Sequence, residues 1–214
     1  MSTKANESKQ RILLTAIDLI KEKGYDSVTL NDICTAANIS KTAFYYYFES
    51  KEDLILQFYK IPIDTMMNNL TSIFMEENTV EQFWKLMEPM MDFIVESGAE
   101  ITKHMVCALT VRNIEPFNIS SFQHDRTDIG VKIIERAQSS GEIRNSSDPF
   151  LLFNTAQGQI LSIIIAWCNK NGEFDFKNAA RLGIEVCFDV KPELRKASPG
   201  VLNKDSFNNR AKAE

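Results

Sequence analysis

The stretch TLNDICTAANISKTAFYYYFESKEDL, residues 29–54, decides the fold. Thr29 is a helix N-cap, with Asp32 in the reciprocal position three residues on, so a short helix should run from Leu30 to Ala37. Asn38 and Ile39 then make a tight turn, and asparagine tolerates the left-handed backbone better than most residues. Ser40 caps a second short helix, Lys41 to Phe48, and Ser50 with Asp53 caps a further one. Ile33, Ala36, Ala37, Ile39, Phe44 and Phe48 supply an apolar seam to fix the angle between the first two. Two short helices joined by a three-residue turn form the unit that sets its second helix into the major groove of DNA.

The polar residues fall where such a unit needs them. Lys41 and Thr42 occupy the first turn of the second helix. Lysine donates to guanine, and threonine can bond a base or touch a thymine methyl. Tyr45 and Tyr46 are expected on the exposed side, with phenol hydroxyls for phosphate, and Tyr47 in the core. Thr29 and Lys51 stand at helix N-termini, which attract anions, and are expected to clamp phosphates.

The segment Val28 to Leu54, above all Phe44-Tyr-Tyr-Tyr-Phe-Glu-Ser-Lys-Glu-Asp-Leu54, resembles the TetR family of bacterial transcription regulators. The resemblance implies a dimer of all-helical subunits. Each would carry an N-terminal DNA-binding domain and a C-terminal domain for a small ligand and for dimerisation. It also implies that Thr29, Ser40, Lys41, Thr42, Ala43, Tyr45, Tyr46 and Lys51 meet DNA. Asn38 stands where the family favours glycine, Cys34 where alanine is usual, Ala43 where a hydroxyl is common, and Glu49 replaces a frequent basic residue. Ala43 leaves base hydrogen bonding to Lys41 and Thr42.

Outward from this segment, the 214 residues suit one large or two small domains of an ordinary soluble composition, 44% hydrophobic and 25% charged. Net charge is −5, unevenly spread: residues 1–51 carry +1, 191–214 carry +3, and the body between them −9. A DNA-binding face must therefore be small and lie near one end. Cys34, Cys107, Cys168 and Cys187 are scattered, and His104 and His124 are the only histidines. A metal site or disulfide framework is not expected, and four buried thiols in a bacterial cytoplasm are. No glycine-rich phosphate loop, Gly-x-Ser-x-Gly or His-Glu-x-x-His occurs, which argues against an enzyme and against a cofactor. The N-terminus has no apolar leader, and the apolar run Ile160 to Cys168 is too short to span a bilayer, so no membrane partner is expected.

The expected fold is all-α, with about nine helices. Residues 1–51 form a three-helix helix-turn-helix domain, 52–190 a larger regulatory and dimerisation domain, and 191–214 a disordered tail. The first helix ends at Gly24, Pro62 kinks a linking helix, Thr79 with Gln82 makes a capping box, Gly141 is a stop, and Asp148-Pro149 starts a long helix.

A ligand pocket is expected from Met66, Leu70, Phe83, Trp84, Met87, Met91, His104, Met105, Phe122, Gln157 and Trp167. Such methionine and aromatic stripes suit an apolar or aromatic molecule, although they are also what any helical core shows. His124, with Gln123, Asp125 and Arg126, reads as a solvated polar run. Phe150, Phe153, Gly158, Leu161, Ile165, Ala179, Leu182, Gly183 and Val186, on two nearly all-apolar helices, are expected to form a four-helix homodimer interface. A two-fold dimer implies a roughly palindromic operator. The rival is a DNA-binding adaptor whose C-terminal domain takes a protein partner and no small ligand.

Overall fold

A computed structural model describes residues 3–59, 70–111 and 123–200. Their regular structure is helical, apart from one isolated antiparallel bridge between Ile143 and Val190. Among the described residues ten α-helices follow in order: α1 Thr3–Lys23, α2 Leu30–Ala36, α3 Lys41–Tyr47, α4 Lys51–Phe58, α5 Leu70–Phe74, α6 Thr79–Ser97, α7 Ala99–Val111, α8 Gln123–Ser139, α9 Pro149–Asn169 and α10 Phe176–Cys187. A 3-10 turn, Pro192–Leu194, comes last. Pro62, Met66 and Phe122, and with them the expected kink, lie outside the described residues.

The N-terminal unit packs α2 and α4 on α1. Ile12, Leu13, Ala16, Ile17 and Ile20 of α1 are buried at helical spacing, which leaves the opposite face polar. The helix stops at Gly24, whose φ of +82° costs a glycine nothing.

Helix α4 joins the two halves. Leu54, Ile55, Leu56, Phe58 and Tyr59 are all buried, and α4 packs on α1 and on α7. Polar bonds reinforce the junction. The Tyr25 N–H donates to Glu100 Oε1 at 2.8 Å, Lys21 Nζ donates to the Glu96 carbonyl at 3.0 Å, and the Tyr59 and Thr102 hydroxyls share a buried bond of 2.8 Å.

In the C-terminal half, α9 is covered by α7, α8 and α10. By length and composition alone Pro149–Asn169 could cross a membrane, but half of that window is buried in this bundle. A helix apolar nearly all round needs neighbours on several sides, and here it has them. Gly130 lets α8 press against α9: a Cβ there would fall 2.3 Å from the Phe153 ring.

Three local expectations need correction. The cap of α6 is Asn78, whose side chain accepts from the Glu81 N–H, and Thr79 turns to Glu142 instead of pairing with Gln82. Of the four thiols, Cys34 and Cys168 are buried, Cys187 is half-buried and Cys107 is exposed. The described part of the tail, residues 191–200, is held to the bundle: Lys196 and Ala197 donate their N–H groups to buried Glu185, and Arg195 bonds the Val190 carbonyl.

Candidate nucleic-acid interface

The helix-turn-helix forms by the caps its sequence announces. Thr29 Oγ1 accepts from the Asp32 N–H at 3.2 Å, while Asp32 Oδ2 accepts from the Thr29 N–H at 2.8 Å and the hydroxyl at 2.6 Å. These bonds hold the Asp32 carboxyl below the usual carboxylate range. Asn38 takes the left-handed turn at φ +50°, and Ser40 Oγ accepts from the Ala43 N–H at 3.1 Å. Ile33, Ala37, Phe44 and Phe48 are fully buried in the seam, Ile39 is half-buried and Ala36 points outward. Arg11 adds a clamp that helix periodicity alone does not announce: Nη1 donates to the Ala37 carbonyl at the end of α2, at 2.8 Å.

This rigid seam leaves one face of α3 free. Ser40, Lys41 and Thr42 are exposed, Ala43 is half-buried, and Tyr45 and Tyr46 are 58% and 67% exposed. Tyr47 is half-buried, its ring 4.8 Å from that of Tyr46 in edge contact. Beside them a polar cleft of about 530 Å³ is lined by Asn31, Cys34, Thr35, Asn38, Ile39, Ser40 and Lys41.

Lys51 departs from its expected role. Its ammonium turns inward, donating to the carbonyls of Tyr25 at 2.7 Å and Val28 at 2.9 Å, and it lies over the Tyr25 ring. It ties the start of α4 to the loop before α2 rather than standing free for phosphate.

The residues expected to line a ligand pocket divide. Met87, Met91, Phe83 and Gln157 are buried together where α6, α8 and α9 meet. Arg126, expected in solvent, joins them at 1% exposure: Nη2 donates to Gln157 Oε1 at 2.5 Å, Nη1 approaches Met87 Sδ at 3.9 Å, and the guanidinium lies 5.9 Å from the Phe153 ring centre. A signal for this existed. Arg126 is in phase with Gly130, Ile133, Ile134 and Ala137, the buried face of α8.

Other expected lining residues sit elsewhere. Trp84 faces α10, beneath the Arg181 guanidinium at 5.2 Å. Trp167 closes the α9–α10 connection, its Nε1 donating to the Phe174 carbonyl at 3.1 Å. Met105 is buried in α7, and Leu70 is half-buried in α5.

His104 is at the junction of the two halves, stacked on Tyr25 with ring centroids 3.8 Å apart. Burial holds its pKa below the ordinary histidine value, against the pull of Asp26 and Glu100 and with the help of Lys103 and Lys51. A depressed folded pKa means that the stability it contributes is full above the unfolded value of about 6.5 and is lost as pH falls through the folded value. Thermal midpoints should therefore fall on acidification below about pH 6.5. His104→Phe, which keeps the stack, should flatten that part of the profile; an unchanged profile would remove His104 as its source.

The interface residues also divide. Phe153 and Ala179 are fully buried within the subunit, and Gly183 is covered by Gln159 and Ile163. These three pack α8, α9 and α10 together and are not on an outer face. Phe150, Leu151, Ile165 and Val186 are 57%, 58%, 42% and 61% exposed, and Gly158 is exposed with open space where a Cβ would be. Leu161 and Leu182 are half-buried beside them.

A capped, tightly seamed helix pair with an exposed polar second helix is the helix-turn-helix arrangement. Residues 12–58 match the family model for bacterial regulatory proteins of the tetR family. The chain is 43% identical over 70 residues to the icaADBC biofilm-operon negative regulator IcaR of Staphylococcus aureus, and 41% identical over 68 residues to the HTH-type transcriptional regulator YerO of Bacillus subtilis. Those matches cover 33% and 32% of this chain but only 36% and 24% of the relatives. Among solved structures, the transcriptional regulator FadR of Bacillus subtilis, in complex with stearoyl-CoA, shares the fold at a TM-score of 0.57 and 18% identity, over 84% of this chain and 97% of that one. Residues 12–58 are thus similar to tetR-family regulatory proteins, and the chain spans about a third or less of the length of the curated relatives it matches.

Proposed function

We propose that this protein is a repressor that binds a roughly palindromic operator as a two-fold dimer in the bacterial cytoplasm, and releases it when a small apolar or aromatic molecule enters the C-terminal core. The observation that carries the DNA-binding part is the exposed face of α3, with Lys41, Thr42, Tyr45 and Tyr46 outward on a helix anchored by the buried Phe44 and Phe48. In this reading Lys41 and Thr42 meet base edges. Tyr45 and Tyr46 meet phosphate, and Thr29, Ser40 and Ala43 lie close to the backbone. IcaR, a negative regulator, supports the sign of regulation.

Dimerisation follows from α9 and α10, where Phe150, Leu151, Ile165 and Val186 leave apolar area in water and Gly158 leaves room for a neighbour. A groove of about 560 Å³ between these helices, lined by Leu151, Leu152, Thr155, Gln159 and Val186 among others, would be filled by the second copy. Four helices, two per subunit, then form the interface. Two recognition helices on one duplex would stand about 34 Å apart or a multiple of it.

Ligand control runs through α4 and α7. Helix α4 packs on α7, and Lys51 at its start holds the loop that precedes the helix-turn-helix. A molecule that binds one placement of α7 more tightly than another moves the DNA-binding unit with it. The stearoyl-CoA in FadR supports a long apolar ligand for this architecture.

Selection of bound sequences from a random DNA pool tests the reading. The unaltered protein should enrich an inverted repeat. Lys41→Ala with Thr42→Ala should lose about tenfold or more of that affinity, since each base-edge contact contributes about 1–3 kcal/mol of discrimination. A pool that stays unenriched with the unaltered protein would refute sequence-specific binding.

A further inference from the structure

Tyr25 stands where the two halves of the chain meet, held by its backbone, its hydroxyl and both faces of its ring. Its N–H donates to Glu100 Oε1 on α7 at 2.8 Å, and its carbonyl accepts from Lys51 Nζ, at the start of α4, at 2.7 Å. Its hydroxyl donates to Glu52 Oε1 at 3.2 Å. The His104 ring of α7 stacks on it with centroids 3.8 Å apart and planes 24° from parallel, and the Lys51 ammonium lies 3.8 Å from the tyrosine ring centre. Groups that close cannot share a face, so the ring is held between imidazole and ammonium. Of these partners His104 is the one whose charge changes between pH 5 and 8. It is half-buried, so a proton can reach it.

Tyr25 also leads into the recognition unit. The loop from Tyr25 to Thr29 enters α2, and Lys51 holds the Val28 carbonyl of that loop at 2.9 Å. What unseats Tyr25 therefore disturbs the start of the helix-turn-helix.

We infer that the Tyr25–His104 stack is a proton-operated latch: protonating His104 unseats Tyr25, loosens the helix-turn-helix from α7 and weakens operator binding. The inference rests on the operator binding proposed above and adds the proton as its regulator. The charges around the imidazole set the direction. Lys51, across the Tyr25 ring, and Lys103, on the same helix, oppose a second cation. Asp26, in the loop after α1, and Glu100, one turn back on α7, attract one. Lys21 and Glu96 stand at the same junction from α1 and α6, joined through the Glu96 carbonyl. Helix α9, which also packs on α7, carries no charged residue, and burial pushes its Cys168 thiol up to about 11, so it stays neutral. An imidazolium gains most by bonding a carboxylate. Turning to Asp26 or Glu100 takes the ring off the stack, and turning to Glu100 also competes for the acceptor of the Tyr25 N–H. Burial already holds the His104 pKa below the ordinary histidine value, so the closed junction favours the neutral ring. The latch is closed above that folded value and opens as pH falls through it.

Operator affinity measured from pH 7.5 to pH 5.5 at constant ionic strength, on the sequence selected at pH 7.5, tests this. Affinity should fall about threefold or more across that span, while affinity for an unrelated duplex of equal length should not fall. His104→Phe, which keeps a stack and takes no proton, should stay within about twofold of the unaltered protein's pH 7.5 affinity throughout. His104→Gln, which loses the stack as well, should bind at pH 7.5 as weakly as the unaltered protein does at pH 5.5. In the unaltered protein the Tyr25 amide resonance should titrate with the same midpoint as the affinity, a readout that remains even if a variant fails to fold. Operator affinity that holds or rises on acidification, a fall that survives in His104→Phe, full affinity in His104→Gln, or a Tyr25 amide that does not follow the profile would overturn the latch and leave operator binding standing. A protein that enriches no sequence at pH 7.5 would refute operator binding itself, and the latch with it.

Discussion

Phe44→Ala is expected to cost about 3–5 kcal/mol and to abolish operator binding while the C-terminal bundle remains folded. Phe44 is fully buried, 5.3 Å from the Phe48 ring centre and 5.7 Å from that of Tyr45. Helix α3 has seven residues, too few to be stable alone, so its position depends on this packing. A cavity there removes the transfer energy of the ring and leaves a void between α2 and α3 that short, capped helices cannot close. Against a typical total of about 5–15 kcal/mol the loss is large. Because the seam is local, amide exchange should accelerate in α2 and α3 first and spare α9. Tyr46→Ala supplies the contrast: the side chain is exposed, so stability should change by no more than about 0.5 kcal/mol while DNA affinity falls. A Phe44→Ala protein with unchanged protection in α3 would show that the seam is held by something else.

The features legible in the sequence were those whose cause is local. A cap needs an oxygen and an N–H three residues away, and Thr29–Asp32, Ser40–Ala43 and Asp148–Leu151 all form as the sequence indicates. The left-handed turns at Gly24, Asn38 and Gly141 follow from backbone sterics alone. What needed the structure was the identity of the neighbour. Gly130, Gly158 and Gly183 all announce a close approach, yet two serve packing inside the subunit and only Gly158 faces open space. Small residues signal that a helix comes near without saying whose. A helix N-terminus points Lys51 toward phosphate and a polar run points Arg126 toward solvent, but neither signal reveals the inward partner that the structure shows. Long stems let each head group reach inward, to carbonyls in one case and to Gln157 in the other. His104 was assigned to the pocket from its place among apolar residues, but its ring partner Tyr25 is 79 positions earlier in the chain.

The same blindness to distant partners explains the tail, and it makes Glu185→Ala the second large effect. Glu185 is buried and accepts from Arg181 Nε at 3.0 Å and from the N–H groups of Lys196 at 2.8 Å and Ala197 at 3.2 Å. It gathers α10 and the segment that follows it around one carboxylate. Arg181 also pairs with Glu81 on α6, and Lys196 Nζ reaches Glu77 at 2.7 Å, so the cluster crosses three parts of the chain. Removing the carboxylate leaves a nearly buried guanidinium with half its partners and two backbone donors without an acceptor. Breaking such a pair costs about 3–5 kcal/mol, and the lower end is expected because Glu81 remains. Thermal denaturation should show the loss, and brief trypsin treatment should cut at Arg195 and Lys196 far sooner than in the unaltered protein. Glu185→Gln, which retains an acceptor, should fall between the two. The consequence reaches the proposed dimer, since Val186 on the same helix is 61% exposed and lies on the face assigned to the second copy. A helix α10 released from its inner anchor presents that face less rigidly, so Glu185→Ala should also shift the monomer–dimer balance toward monomer in sedimentation. Unchanged cleavage at Arg195 would mean that the segment beyond α10 is held by its other bonds and that Glu185 is not its anchor.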